Sequence, residues 1–225
     1  MGVRLAGKKF IELLREELQP IRKKILNHPF PKSVERGKVP LEKLRFFAEQ
    51  QFHIVSGDFR NLALYIALSK EQRERDFFLS LIEGERKALS NLFKLAKALG
   101  LGEKELTESE PHPGALSFTN YFTRLGVYGT PGDIASAIVI DFEVWGENCR
   151  RISTGLKKHY GLKDEDTLFL DGFYPIAPEF YRGIEEIVQG YTRKEESKKE
   201  MKTSAKLALY YELMFWDTME SFKPR

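Results

Sequence analysis

The chain has 225 residues, 42% hydrophobic and 31% charged, a balance that suits one globular domain with a large core. Its 36 Lys and Arg against 33 Asp and Glu leave a net charge of +3. The two signs interleave, so composition gives no support to nucleic-acid binding. Cys149 is the single cysteine, which excludes an internal disulfide and fits a reducing compartment.

In chain order, apolar spacing is helical almost throughout. Residues 6–27 put Phe10, Leu14, Ile21 and Ile25 on one stripe. The start, MGVRLAGKKFIELL, enters this helix with no signal-like apolar region, and no run of ~18 apolar residues follows, so a cytoplasmic protein without a membrane span is expected. Abundant Lys and Glu with few Asn and Cys suit a thermophile. His28-Pro29-Phe30-Pro31 stops the first helix, because proline removes a donor and restricts its predecessor. Helices are expected next at about 40–69 and 71–100, the second capped at Leu99-Gly100. The loop 108–114 precedes a helix at 115–128. Thr130 then offers an N-cap, with Pro131 in the first turn of a helix at 132–159. The segment 160–175 reads as irregular, and helices at 176–192 and 195–221 close the chain. The expectation is a single all-α domain spanning 1–225, with seven to eight helices.

Four of these helices carry a polar residue on the apolar stripe. Gln51 lies with Leu44, Phe47, Ile54, Val55 and Leu62. Glu85 lies with Phe78, Ile82, Leu89 and Leu92. Asp141 lies with Ile134, Ile138, Trp145 and Ile152. Glu212 lies with Met201, Ala205, Ala208, Phe215 and Met219. One inward acid is readily a salt-bridged core residue. Three acids and a glutamine from four helices, with no matching inward Lys or Arg, point to a wet pocket, because an unpaired buried carboxylate costs several kcal/mol. Such a carboxyl has a raised pKa and can move protons near neutral pH.

Trp145, Tyr211 and Phe47 offer planar faces to a ring, although aromatics at this spacing also build cores. Cys149 lies two turns beyond Asp141 and reads either as a nucleophile or as a small core residue. The histidines supply no Glu-x-x-His pair, so no metal is expected, and no phosphate loop or other cofactor motif is present.

Several stretches together resemble the TenA/PqqC family. They are His28-Pro29-Phe30, Gly37-x-x-Pro40-x-x-x-Leu44, Phe47-x-x-Gln50-Gln51-Phe52, and Glu212-x-x-Phe215-Trp216-Asp217. The resemblance implies a haem-oxygenase-like bundle and a homo-oligomer, a dimer or tetramer. It also implies a small planar N-heterocyclic ligand, an aminopyrimidine or thiamine-related compound. By it, Glu212 matches the family's catalytic glutamate. Gln51 stands where thiaminase-type members have an aspartate on the pyrimidine amino group. Asp141 stands in place of their nucleophilic cysteine, Trp145 in place of a tyrosine, and Phe118 at a pocket tyrosine. Without the thiol, covalent displacement of the usual type loses its nucleophile. The expected roles are Glu212 and Asp141 as acid and base, Gln51 and Glu85 bonding the ligand, and Trp145, Tyr211, Phe47 and Phe118 packing against it. The rivals are a non-catalytic ligand-binding or regulatory protein, and a cofactor-independent or metal-dependent oxidase of the PqqC type.

Overall fold

The structure, a computed structural model, describes residues 5–223. The first four residues of the start read above, and the last two of the 1–225 domain, lie outside the described residues. Within them there are eleven α-helices and one 3-10 turn, and no strand. The helices are α1 (Leu5–Glu17), α2 (Gln19–Leu26), α3 (Pro29–Glu35), α4 (Leu41–Leu68), α5 (Gln72–Ala98), α6 (Glu103–Thr107), α7 (Pro113–Tyr128), α8 (Pro131–His159), α9 (Leu168–Asp171), α10 (Pro178–Tyr191) and α11 (Glu195–Ser221).

The helix count exceeds the seven to eight expected, for two physical reasons. Pro20 lacks the N–H that would continue the first helix, so 6–27 divides at Leu18 into α1 and α2. The helices α3, α6 and α9 have seven, five and four residues, too short to show a period.

Local chemistry sets the boundaries. His28 Nδ1 accepts from the Phe30 N–H, capping α3, and its Nε2 lies 3.1 Å from Asp217 Oδ1. The acceptor role of Nδ1 puts the proton of a neutral ring on Nε2, so that nitrogen donates to Asp217 and ties α3 to α11. The family-like His28 and Asp217 thus serve architecture. Gly100 takes φ +80, and the Leu101 N–H to Ala96 and Gly100 N–H to Lys97 bonds complete a Schellman cap on α5. Thr130 and Asp133 form a reciprocal capping box on α8.

The core is organised around α8. Residues 131–141, PGDIASAIVID, are buried on every face, as expected of a helix without a solvent side. On it pack α11, α3 and α10, while α4 packs against α5 and α7. Behind the site Trp216, Phe47, Phe30 and Trp145 form a pile of near-parallel rings, with centroids 5.3–6.4 Å apart. No helix of the described residues is long and apolar enough to cross a membrane.

Two glycines make opposite demands on the packing. A Cβ on Gly155 of α8 would stand 2.2 Å from the Val34 carbonyl oxygen, whereas one on Gly84 of α5 would meet nothing within 4 Å. Gly155→Ala should therefore destabilise by about 1–3 kcal/mol. Gly84→Ala should stabilise by up to about 1 kcal/mol. Thermal unfolding followed by circular dichroism checks both, since each kcal/mol moves Tm by about 2–4 °C in a chain of this size.

Candidate functional site

Five helices meet around one hollow. Gln51, Ile54, Val55 and Asp58 come from α4, Glu85 from α5 and Phe118 from α7. Asp141, Phe142 and Trp145 come from α8, and Glu212 and Phe215 from α11. Phe173, from the segment after α9, completes the wall, which encloses about 490 Å³ of space counting its opening. Phe173 can lie this close because α8 has Gly146 beside it, where a Cβ would stand 2.6 Å from the Phe173 carbonyl. No Lys, Arg or His is among the lining residues.

Asp141 and Glu212 form the first acidic pair. The Trp216 indole N–H donates to Glu212 Oε1 at 3.0 Å, one helical turn along α11. Asp141 Oδ1 and Glu212 Oε2 have no ordinary donor. The two carboxyls act on each other's titration, and a hydrogen bond between them requires that one keep its proton. Burial raises Glu212 to about 7, against the indole N–H, the Asp141 hydrogen bond and the Arg22 charge, all of which lower it. Burial first, then the charge and hydrogen bond of Glu212 and the charge of Asp58, hold Asp141 well above the usual aspartate range. Arg22 acts from behind the wall, where its guanidinium pairs with Glu143 at 2.9 Å.

Asp58 and Glu85 form the second pair. Asp58 accepts from Thr119 Oγ1 at 3.0 Å and Asn61 Nδ2 at 3.2 Å. The close approach of α7 that delivers Thr119 depends on Gly57, whose Cβ would stand 2.8 Å from Thr119 Oγ1. Burial raises Asp58 to about 6, although both of those hydrogen bonds lower it. Glu85 is raised to about 8, by burial and then by the Asp58 charge. Among the described residues neither the Glu85 carboxyl nor the Gln51 amide has a protein hydrogen-bond partner, and Gln51 is 3% exposed.

Of the residues singled out from sequence, the structure brings together Gln51, Glu85, Phe118, Asp141, Trp145 and Glu212. It places two elsewhere. Phe47 sits one turn before Gln51, beyond the end of the hollow and inside the ring pile. Tyr211 faces α7 and stacks on Tyr121 at 4.8 Å. Cys149 lies fully buried outside the wall, its thiol pushed well up by burial and by the charges of Glu212, Asp171 and Asp141. Asp58 escaped the sequence reading, yet it falls seven residues after Gln51 and fills the gap in that stripe between Val55 and Leu62. Among the described residues no three His, Cys, Asp or Glu side chains converge closely enough to hold a metal ion.

The bundle is a haem-oxygenase-like all-α fold. It superposes with TM-score 0.81 on a domain of unknown function with that fold from Shewanella denitrificans OS217, 15% identical over 93% of this chain and 91% of that one. The chain belongs to the TENA/THI-4/PQQC family, whose sequence profile matches residues 15–221. A TenA homologue from P. horikoshii OT3 is 21% identical over 93% of this chain and 97% of its own, with TM-score 0.74. One from Pyrococcus furiosus is 20% identical over 93% and 99%, with TM-score 0.75. No curated protein matches the sequence at a significant level.

The raised carboxyls make a pH prediction. A carboxyl with a folded pKa above its unfolded value binds more protons in the native state, so its stabilising effect is full below about pH 4 and is lost as pH rises through the folded value. With Asp58, Glu212 and Glu85 raised to about 6, 7 and 8, stability should fall steadily between about pH 5 and 8.5. Urea midpoints across that range measure the slope, and Glu85→Gln should flatten its upper half.

Proposed function

We propose that this chain is a small-molecule enzyme that acts on a planar N-heterocycle, an aminopyrimidine or thiamine-related compound, by acid/base chemistry in the acidic hollow. The observation that carries the reading is the Asp141–Glu212 pair, two buried carboxyls with raised pKa facing a wall of aromatic rings. Of such a pair, the ionised member takes a proton from an attacking water, and the protonated member hands its own to a departing nitrogen. The water supplies the group that replaces the leaving amine, so the hydrolysis balances and returns the pair to its starting state. Trp145, Phe118 and Phe215 sandwich the ring, and Gln51 bonds its polar edge. The Trp216 N–H fixes Glu212 in the rotamer that faces the ring.

The second reading is a protein on the same scaffold that binds the heterocycle without turning it over. It is favoured by the position of Cys149, which leaves no thiol facing the hollow. Calorimetry with aminopyrimidines and thiamine, paired with an assay for released amine, separates the two. Glu212→Gln should weaken binding of the heterocycle by about ten- to a hundredfold, because a charge-assisted hydrogen bond is worth ~1.5–3 kcal/mol. Asp141→Asn should abolish amine release and leave the fold intact by circular dichroism. Binding indifferent to Glu212 would remove the pair from the role. Binding without amine release in the unaltered protein would select the second reading.

The chain also acts as a homo-oligomer in a reducing cytoplasm, on this reading. Support comes from the single, fully buried cysteine and from Leu207, Tyr210 and Met214, which make an exposed apolar stripe on α11 at 38–46% exposure. Sedimentation should show a dimer or tetramer, and Tyr210→Glu should shift it toward monomer.

A further inference from the structure

The hollow does not end at its second acidic pair. Past Asp58 and Glu85 it continues into another lobe, about 420 Å³ counting its opening, walled by Leu62, Tyr65, Leu81, Phe122 and Ile138. Asp58, Glu85, Phe118, Asp141 and Phe142 border both lobes, so the carboxyl pair stands at the waist. The polar groups of the far lobe are already occupied. The Tyr65 hydroxyl donates to the Phe122 carbonyl at 3.1 Å. The Asn61 amide donates to Asp58 and Thr119, and its oxygen accepts from Thr123. What that lobe offers a ligand is apolar surface. The near lobe is the opposite case, since no hydrogen bond within the protein is made by the Gln51 amide, Asp141 Oδ1 or Glu212 Oε2 among the described residues.

An apolar end, an acidic waist and a polar aromatic end, in that order, describe one kind of molecule. We propose that the ligand is a cation whose secondary or tertiary ammonium nitrogen sits between Asp58 and Glu85, with its planar group in the near lobe and a short apolar substituent in the far one. This rests on the reading of the near lobe given above and adds the charge and the tail. A primary amine leaves the far lobe unfilled, and a neutral arm leaves the waist carboxyls uncompensated.

The groups that face the waist fix the proton linkage. They are Asp58 and Tyr65 from α4, Glu85 from α5, Asp141 from α8 and Glu212 from α11. From α7 comes only the Thr119 hydroxyl, which bonds Asp58. No basic group lines either lobe, and Arg22 reaches Glu212 only from behind. Seating an ammonium ion beside Asp58 therefore favours ionised Glu85, which is raised to about 8 and so protonated at pH 7, and binding releases protons.

The test uses five probes: an aminopyrimidine bearing a butylaminomethyl arm, its methylaminomethyl analogue, the matching butoxymethyl ether, the same ring with a plain methyl, and butylbenzylamine. Calorimetry of the unaltered protein at pH 7 should show the amine binding at least about tenfold tighter than the ether. The amine should also release protons, read from runs in buffers of different ionisation heat. Glu85→Gln should erase the preference for the amine. Lengthening the arm from methyl to butyl should tighten binding by about fourfold per buried methylene, a gain that Leu81→Trp removes. Equal affinity for amine and ether, or amine binding without proton release, overturns the proposal, and neither result depends on a variant that must fold. If the methyl compound binds through Glu212 while the amine arm adds nothing, the cation site falls and the proposed function stands. If butylbenzylamine binds through Glu85 while no aminopyrimidine binds, the cation site stands and the proposed function falls.

Discussion

Four carboxyl groups share one enclosed space with no cation among the residues lining it. Ionising Asp141 or Glu212, the two that are almost fully buried, costs several kcal/mol. Keeping an ordinary glutamate neutral at pH 7 costs roughly 3–4 kcal/mol, at about 1.4 per unit of pKa shift. The second cost is the smaller for the later protons, so the wall holds protons and its carboxyls titrate as pairs. Either cost is relieved by a guest that brings positive charge or donors. Ionised carboxyls in this wall are therefore under electrostatic strain, which lowers stability as pH rises toward neutral.

The rest of the fold makes that strain tolerable and keeps it in one place. Trp216, Phe30 and Phe47 are all but fully buried behind the site, and each contributes about 1.5–3 kcal/mol by leaving water. Their pile also holds the indole whose N–H restrains Glu212. On the far side, Gly57 lets α7 come close enough for Thr119 to bond Asp58. Asn61 and Thr123 extend that bond into a chain across the α4–α7 contact. Glu85 is the exception, since α5 provides it no donor. It is consequently held protonated up to about pH 8.

The long helices and the inward acids were legible because both are periodic signals. Gln51, Glu85, Asp141 and Glu212 each interrupt an apolar stripe at three-four spacing, and the stripe states which way they point. Asp58 obeys the same rule, but a gap in a stripe is a weaker cue than an interruption of one. Phe47 and Tyr211 show where the rule stops. A stripe gives direction around a helix axis, not depth along it, and Phe47 is about 6 Å further along the axis than Gln51 at 1.5 Å per residue. Tyr211 is one residue from Glu212 and so about 100° round the helix, which turns it to α7. The division at Pro20 and the three shortest helices depend on capping geometry and tertiary contacts that no period records.

The resemblance to thiaminase-type relatives places an aspartate where this chain has Gln51 and a cysteine where it has Asp141. Taken singly, each change reads as a loss. Taken together they move one acid from α4 to α8. The relocation matters because of what surrounds each position. At position 141 the acid and Glu212 act on each other's titration. A glutamine left at 51 still donates and accepts, without adding a fifth carboxyl to a space that already lacks a counter-charge. By the resemblance, the exchange sets a second acid beside Glu212 on α8, where those members have a thiol.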